Sequence, residues 1–514
     1  MSQRLSRREF LKLMALVPPS AFLSGFAQEP LRAAQNPNAK NVLIIVFDAL
    51  SATNIGLFGY ARNTMPNLAR MAERATVYHN HYAGGNFTTP GSGSLMTGVY
   101  PWTHRAFGLG AQVIPERRHK TLFSAFEEYY RLAYSHNNFV NIHLQAFFND
   151  ISHLEPQKNL FVKNTLALDR LFPNDEDIAS VAWERAVKKA DAGYAYSLFF
   201  SELYTEYENR QVGKLAEMFP LGIPRIGTDD YFLLEDGIDW VTSQIIKTPQ
   251  PFVAYFHFLP PHHPYSPRRE YVHAFRDDSV GYLIDKPKSI FNHNEQISLT
   301  YQSNQRRIYD EFVLYADGEL GRLYDYLEQN RWLENTWVVF TSDHGEMFER
   351  GIFGHRTPVL YQPIVRIPLV ILEPGQKQRR DVYTHTSAVD VIPTLLKVTG
   401  QKIPDWFEGQ PMPPFADKEP DPQRSLFTVE AKLSSWNKPM NPVTTTIVKG
   451  NYKLMYLAGY EELGKDTPSF ELYDLENDPQ ELQNLADSKP SVLSDLKNEL
   501  LTRMKEADRP YEKG

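Results

Sequence analysis

Three stretches of unbroken apolar, β-rich residues punctuate this chain: NVLIIVF at 41–47, PFVAYFHF at 251–258 and NTWVVFT at 335–341. None shows the alternation of a half-exposed strand, so each reads as a strand buried on both faces, as in parallel sheets. Between them lie segments of helical periodicity: MPNLARMAERA with Pro66 near its start, DDYFLLEDGIDWVTSQIIK, and IYDEFVLYADGELGRLYDYLEQN. Strands alternating with helices define an α/β architecture. Each strand runs straight into polar residues, Asp48 after the first, His262 and His263 after the second, Asp343 and His344 after the third. In open α/β sheets the ligand crevice lies beyond the carboxyl ends of the strands. These distant residues are therefore expected to meet at one site, which is the arrangement of an enzyme.

Other segments complete the plan. GGNFTTPGSGSLMTG is a glycine-rich loop entering a short helix, with Thr88 or Thr89 placed to cap it and Pro90 in its first turn. Residues 160–230 are aromatic and helix-like, and suit either a cap lining a substrate pocket or plain scaffold. A proline-rich linker from Ile403 to Pro422 marks a domain boundary. Beyond it, TTTIVKGNYKLMYLA and FELYDLENDPQELQNLA predict a short antiparallel unit and a C-terminal helix.

Composition narrows the chemistry. The 514 residues carry a formal net charge of −8, which gives no basis for a nucleic-acid partner or an anionic membrane surface. An anionic substrate would have to be drawn in locally. The chain has no cysteine, which removes disulfides, thiolate catalysis and thiolate metal sites. At the N-terminus, Ser6-Arg7-Arg8-Glu9-Phe10-Leu11-Lys12 resembles a bacterial twin-arginine export signal, followed by an apolar stretch that Pro18-Pro19 interrupts. The signal is expected to span residues 1–27, with cleavage after Ala27 and a polar linker over 28–40. The twin-arginine translocase would then be a transient partner. The chain would cross already folded and metal-loaded, to a periplasmic or extracellular location.

Asp48, Asp343 and His344 offer hard or borderline ligands for a divalent metal ion, Zn²⁺, Mn²⁺, Mg²⁺ or Ca²⁺. A threonine at a helix N-terminus, Thr88, would be the nucleophile if the same cation lowered its pKa. Each of these residues alone also has an ordinary structural reading; together they are coherent for ester hydrolysis. Further histidines, His257, His262, His263, His355 and His385, could build a second metal site or none. Nothing in the sequence fixes the oligomeric state.

The segments NVLIIVFDAL, TTPGSGSLMTG, PHHPYSP, TSDHGEMFERGIFGHRTPVLYQPIVRIPLVI, AVDVIPTLLKVTG and ELYDLENDPQELQNLA resemble, in order and spacing, the sulfatase branch of the alkaline phosphatase superfamily. The resemblance implies an α/β fold of alkaline-phosphatase type over residues 41–402, a large domain whose central, mostly parallel sheet is sandwiched by helices. It also implies a smaller C-terminal α+β domain, 403–514, with a short antiparallel sheet. The metal ligands would be Asp48, Thr88, Asp343 and His344. His262 and His355 would join Thr88 as catalytic residues, His355 at an anion-binding lysine position. His136, Asn138, His263 and Arg356 would contact substrate. Sulfatases of this branch carry a Cys or Ser, oxidised to formylglycine, in a Cys/Ser-x-Pro-x-Arg motif. Here the stretch is Thr88-Thr89-Pro90-Gly91-Ser92, and the paired aspartates of the first strand are reduced to Asp48-Ala49. Threonine instead resembles the phosphodiesterase, phosphonate hydrolase and phosphoryl-transferase branches. Asp343-His344, where many sulfatases have Asp-Asn, favours Zn²⁺ or Mn²⁺ over Ca²⁺ or Mg²⁺. The expected activity is hydrolysis of phosphate or phosphonate esters, diesters foremost, with a small-molecule or glycan- or lipid-linked anionic substrate. The alternatives are a sulfuric ester hydrolase without formylglycine, a phosphoryl-group transferase, and a non-catalytic binding protein.

Overall fold

The computed structural model describes residues 39–512 except 165, 173, 176–177, 179–197, 229, 277–285, 292–296 and 465–466. The export signal over 1–27 and most of the linker over 28–40 lie outside the described residues. Eight strands form the main sheet. Their order from edge to edge is β5 (His153–Leu154), β4 (Tyr130–Ser135), β6 (Phe252–Phe258), β1 (Asn41–Phe47), β7 (Thr336–Thr341), β8 (Leu369–Leu372), β2 (Thr76–Tyr78) and β9 (Arg380–Val382). The five strands from β5 to β7 run parallel; β8 is antiparallel to both β7 and β2. The three apolar runs of the sequence are β1, β6 and β7, adjacent at the centre of the sheet. All seven residues of β1 and of β6 are buried, as strands covered on both faces must be.

The alternation of a strand divides β1 between two cores. Leu43, Ile45 and Phe47 pack with helices α1 (Pro66–Ala72), α5 (Leu234–Lys247) and α6 (Leu299–Gln329). Val42, Ile44 and Val46 pack on the opposite face with α2 (Thr88–Thr97), α3 (Asn138–Ala146) and α7 (Val391–Val398). A short parallel pair, β3 (His81–Tyr82) with β10 (Thr386–Ser387), sits apart from the main sheet.

The C-terminal region is an antiparallel sheet in the order β11 (Leu426–Glu430), β12 (Val443–Lys449), β13 (Tyr452–Ala458), β14 (Ser469–Asp474). Helix α8 (Pro490–Asp508) covers it through Leu496, Leu500 and Met504. The molecule thus has the alkaline-phosphatase-like α/β fold with a separate, smaller antiparallel sheet region.

The proline-rich stretch before β11 has neither helix nor strand, yet it is packed against the main body. Glu408 accepts hydrogen bonds from the Tyr100 backbone N–H at 2.7 Å and the Trp102 indole at 3.2 Å, and Met412 is buried. The aromatic segment over 160–230 is helical where described, at Leu166–Leu171 and α4 (Leu198–Ala216), and its middle lies outside the described residues. No helix among the described residues is long and apolar enough to cross a membrane.

Candidate active site

The carboxyl ends of β1, β4, β6 and β7 converge. Asp48 follows β1 directly, and Asp343 and His344 follow β7; all three are fully buried. Asp48 Oδ2 accepts from Asn137 Nδ2 at 2.5 Å and from His257 Nε2 at 3.1 Å. Asp343 Oδ1 accepts from the backbone N–H of His344 at 3.0 Å and of Ala49 at 3.3 Å. The remaining oxygens, Asp48 Oδ1 and Asp343 Oδ2, have no hydrogen-bond partner. His344 Nδ1 lies 2.9 Å from the Gly345 carbonyl oxygen. A carbonyl only accepts, so Nδ1 carries the hydrogen and Nε2 presents a lone pair. That lone pair stands 3.4 Å from Asp48 Oδ1, 3.6 Å from Asp343 Oδ2 and 3.4 Å from Thr88 Oγ1.

Two partnerless carboxylate oxygens and the imidazole Nε2, buried together, need positive charge between them, from a proton on Nε2 or from a metal ion that takes its place. The ligand atoms of Asp48, Asp343 and His344 all lie within 4.8 Å of one another, close enough to share one ion. The donor set therefore fits a divalent metal ion. Electrostatics agree. Burial works to depress the His344 pKa, but the Asp343 and Asp48 carboxylates lift it to about 9. Burial likewise works to raise Asp48, but His262, the His257 hydrogen bond and the nearby His344 ring hold it well below the usual carboxylate range. Asp343 is pushed up by burial and by the Asp48 charge. The pocket attracts positive charge.

Thr88 is the first residue of α2, and Phe87, extended, is its N-cap. Neither threonine caps the helix, contrary to the sequence expectation. Thr88 instead directs its hydroxyl to His344 Nε2 and to Asn137 Nδ2, the latter at 3.4 Å. Ser92, at the position of the motif's arginine, donates to the Thr88 carbonyl at 2.5 Å and satisfies itself within its own helix. Gly91 explains how α2 comes so near β7: a Cβ there would stand 2.4 Å from the Asp343 carbonyl oxygen. Gly91→Ala is expected to push the helix away from Asp343 and to lower stability by roughly 1–3 kcal/mol. Thermal unfolding and metal content of the variant would check both effects.

Histidines line the other side. His355 Nδ1 is 3.0 Å from Glu346 Oε1, and its ring lies 4.3 Å from that of His344 and 4.9 Å from that of His262. Asn86, two residues before Thr88, donates to the Thr357 carbonyl at 2.7 Å and ties the His355 loop to the start of α2. Burial lowers the His262 pKa to about 4 and takes His355 well below its usual value, so both are neutral imidazoles near pH 7. Burial pushes Glu346 up to about 7.

The structure distributes the remaining candidates differently. His263 and Arg356 are exposed; His263 packs edge-on to Tyr265 and Phe353, and the Arg356 carbonyl accepts from Lys432 Nζ at 3.2 Å. Asn138 is exposed at the start of α3, and its neighbour Asn137 reaches Asp48 and Thr88 in its place. His136 is buried in an aromatic wall, 4.3 Å from the Phe232 ring, with neither ring nitrogen hydrogen-bonded. His385 stacks near Tyr82, apart from the other histidines. Asn137 and Glu346 are the residues that sequence reasoning did not assign to the site, and His257 entered it only as a candidate for a second metal site. Alternation along β6 would have found His257, which shares a face with Tyr255 two residues earlier.

A buried acidic and imidazole cradle that could hold a metal ion, at the strand ends and facing a hydroxyl at a helix N-terminus, is the arrangement of an ester hydrolase. The chain belongs to the sulfatase family of the alkaline phosphatase superfamily: the family's model matches residues 40–401, and that of the N-sulphoglucosamine sulphohydrolase C-terminal region matches 348–509. Among curated relatives, choline-sulfatase of Rhizobium meliloti is 24% identical over 480 residues, covering 87% of this chain and 82% of its own. The multifunctional alkaline phosphatase superfamily protein PehA of Trinickia caryophylli is 23% identical over 524 residues, covering 91% and 96%. Among solved structures, phosphonate monoester hydrolase of Agrobacterium radiobacter superposes with a TM-score of 0.66 at 19% identity, over 91% of this chain and 96% of that one.

Proposed function

We propose that the protein hydrolyses phosphate or phosphonate esters, diesters foremost, with Thr88 as nucleophile. The observation that carries this reading is the Thr88 hydroxyl, held 3.4 Å from His344 Nε2 at the mouth of the carboxylate cradle. Asp48, Asp343 and His344 would hold a divalent ion, Zn²⁺ or Mn²⁺ by their donor types. When bound, the ion supplies positive charge that lowers the hydroxyl pKa and offsets charge on the ester. Thr88 Oγ1, having lost its proton, attacks phosphorus as the P–O bond to the leaving alcohol breaks, and water then displaces the phosphoryl or phosphonyl group from Thr88 to give the acid product and the free hydroxyl. The Asn137 side chain orients both Thr88 and Asp48. His262 and His355 stand where the leaving oxygen departs, and Glu346 holds the His355 ring in place.

A sulfuric ester activity is the second reading, supported by the family itself and by the choline-sulfatase relative. Metal-quantified protein assayed on p-nitrophenyl sulfate, p-nitrophenyl phosphate, bis-p-nitrophenyl phosphate and a phenylphosphonate monoester separates them. Turnover of a phosphorus ester is the expected result, and cleavage of sulfate alone would overturn the order. Beside a bound anionic ester the depressed His355 pKa would rise, and proton donation by His355 then predicts a further pattern. His355→Ala should lower kcat by about 10²–10⁴ for alkyl esters and far less for p-nitrophenyl esters, whose leaving group needs no proton. A leaving-group series would show it. Export by the twin-arginine pathway belongs to the same proposal, with Arg7 and Arg8 as its recognition pair. Arg7→Lys with Arg8→Lys should retain the protein in the cytoplasm on fractionation.

A further inference from the structure

His257 has no place in the reaction just described, yet it is buried in contact with one of the candidate ligands. It lies on β6, with Tyr255 two residues earlier on the same face of the strand. Strand β6 pairs with β1 so that Val46 stands beside His257, and the Asp48 N–H donates to the Phe258 carbonyl at 3.0 Å. A chain of contacts results: Tyr255 Oη to His257 Nδ1 at 3.0 Å, and His257 Nε2 to Asp48 Oδ2 at 3.1 Å. The carboxylate only accepts, so Nε2 carries the hydrogen, and Nδ1 accepts from the tyrosine hydroxyl. Asn137 Nδ2 donates to the same Oδ2 at 2.5 Å. Two donors thus occupy Oδ2, and Oδ1 alone is left facing Asp343 and His344.

A carboxylate restrained in this way offers a cation one oxygen. Calcium takes six to eight oxygens and commonly draws on bidentate carboxylates, whereas zinc is satisfied by four ligands. Ala49, where the family's second aspartate would stand, adds no further oxygen. We propose that Tyr255 and His257 are positioning residues that hold Asp48 to single-oxygen coordination and so bias the site toward Zn²⁺ over Ca²⁺. This rests on the reading that Asp48, Asp343 and His344 hold a divalent ion. Hydrogen-bond partners of a ligating carboxylate typically change metal affinity by about 10–100-fold.

The test is calorimetric titration of the full chain with Zn²⁺ and separately with Ca²⁺, with chelator competition where binding is tight. His257→Leu is expected to lose about 10–100-fold in Zn²⁺ affinity while Ca²⁺ affinity holds or rises, because Oδ2 is released. His257→Gln, whose amide can still donate to Oδ2, should recover most of the Zn²⁺ affinity. Tyr255→Phe, which removes one hydroxyl, should fall between. If His257→Leu does not fold, the other two variants still decide the matter, with thermal unfolding of the metal-free proteins as the control. Equal weakening toward both ions would overturn the proposal. So would an X-ray absorption spectrum of zinc-loaded His257→Gln with one nitrogen neighbour fewer than wild type, which would make His257 a ligand. Wild-type protein that binds neither ion would refute the metal reading itself, a distinct failure.

Discussion

Thr88→Ala is expected to lower turnover of phosphorus esters by roughly 10⁴-fold or more, the scale seen when a covalent nucleophile is deleted. The size of the effect follows from what survives. Asp48, Asp343 and His344 keep their hydrogen bonds to Asn137, Ala49 and Gly345, none of which involves the threonine side chain. Metal content should therefore change little while chemistry stops. A substitution that merely loosened the fold would lower both together. Thr88→Ser keeps the hydroxyl and should retain most of the activity. Intact-mass measurement after rapid quenching gives an independent readout: an adduct with the mass of the substrate less its leaving alcohol in wild type, located on the peptide containing Thr88, and none in Thr88→Ala. An adduct elsewhere would reassign the nucleophile.

Acid sensitivity is the second large effect. His81, His104 and His136 are depressed to about 3 and His143 to about 4, in each case chiefly by burial. In the unfolded chain these groups titrate near the usual 6.5. As pH falls below about 6.5 the unfolded state takes up protons first, so stability is complete above that value and is lost toward the folded-state values. At pH 5 each group accounts for about 2 kcal/mol of that loss. Four together rival the net stability of a typical domain, 5–15 kcal/mol. The melting temperature should fall steeply between about pH 6.5 and 4.5. His136→Leu should blunt the fall, because that ring has no hydrogen bond to lose and a buried leucine has no proton to gain. An acid profile unchanged in His136→Leu would show that the group stays solvated enough to protonate in the folded state.

The strand ends were legible because chain direction and residue type suffice there. An aspartate directly after a buried parallel strand can only emerge at the sheet's carboxyl edge, so Asp48, Asp343 and His344 could be placed together before any coordinates. The neighbouring loop resisted the same logic. Whether Asn137 or Asn138 faces Asp48 depends on the residue at which β4 ends and α3 begins. The Asn137 carbonyl oxygen of the side chain caps that helix, accepting from the Phe139 N–H at 2.8 Å, and this fixes its amide nitrogen toward the aspartate. A one-residue offset in a turn leaves no periodic trace. His257 was obscured for another reason. It sits inside an apolar run, and what gives it meaning is a partner on an adjacent strand, set by register. Within the stretch rich in proline, Glu408 and Met412 are anchored to the main body, and composition alone would single out neither.

The pairing of Thr88 with Ser92 has a consequence for how the protein comes into being. Enzymes that depend on formylglycine leave the ribosome unfinished and wait on a second enzyme to oxidise them. If Thr88 is the nucleophile, as proposed, it already carries the group it will use, and its β-methyl bars conversion to an aldehyde. With Ser92 turned inward to the Thr88 carbonyl, the segment displays no arginine for a maturation enzyme to grip. On that reading, synthesis, folding and metal binding would complete the catalyst. A host without any sulfatase-maturing machinery should therefore produce it at full specific activity.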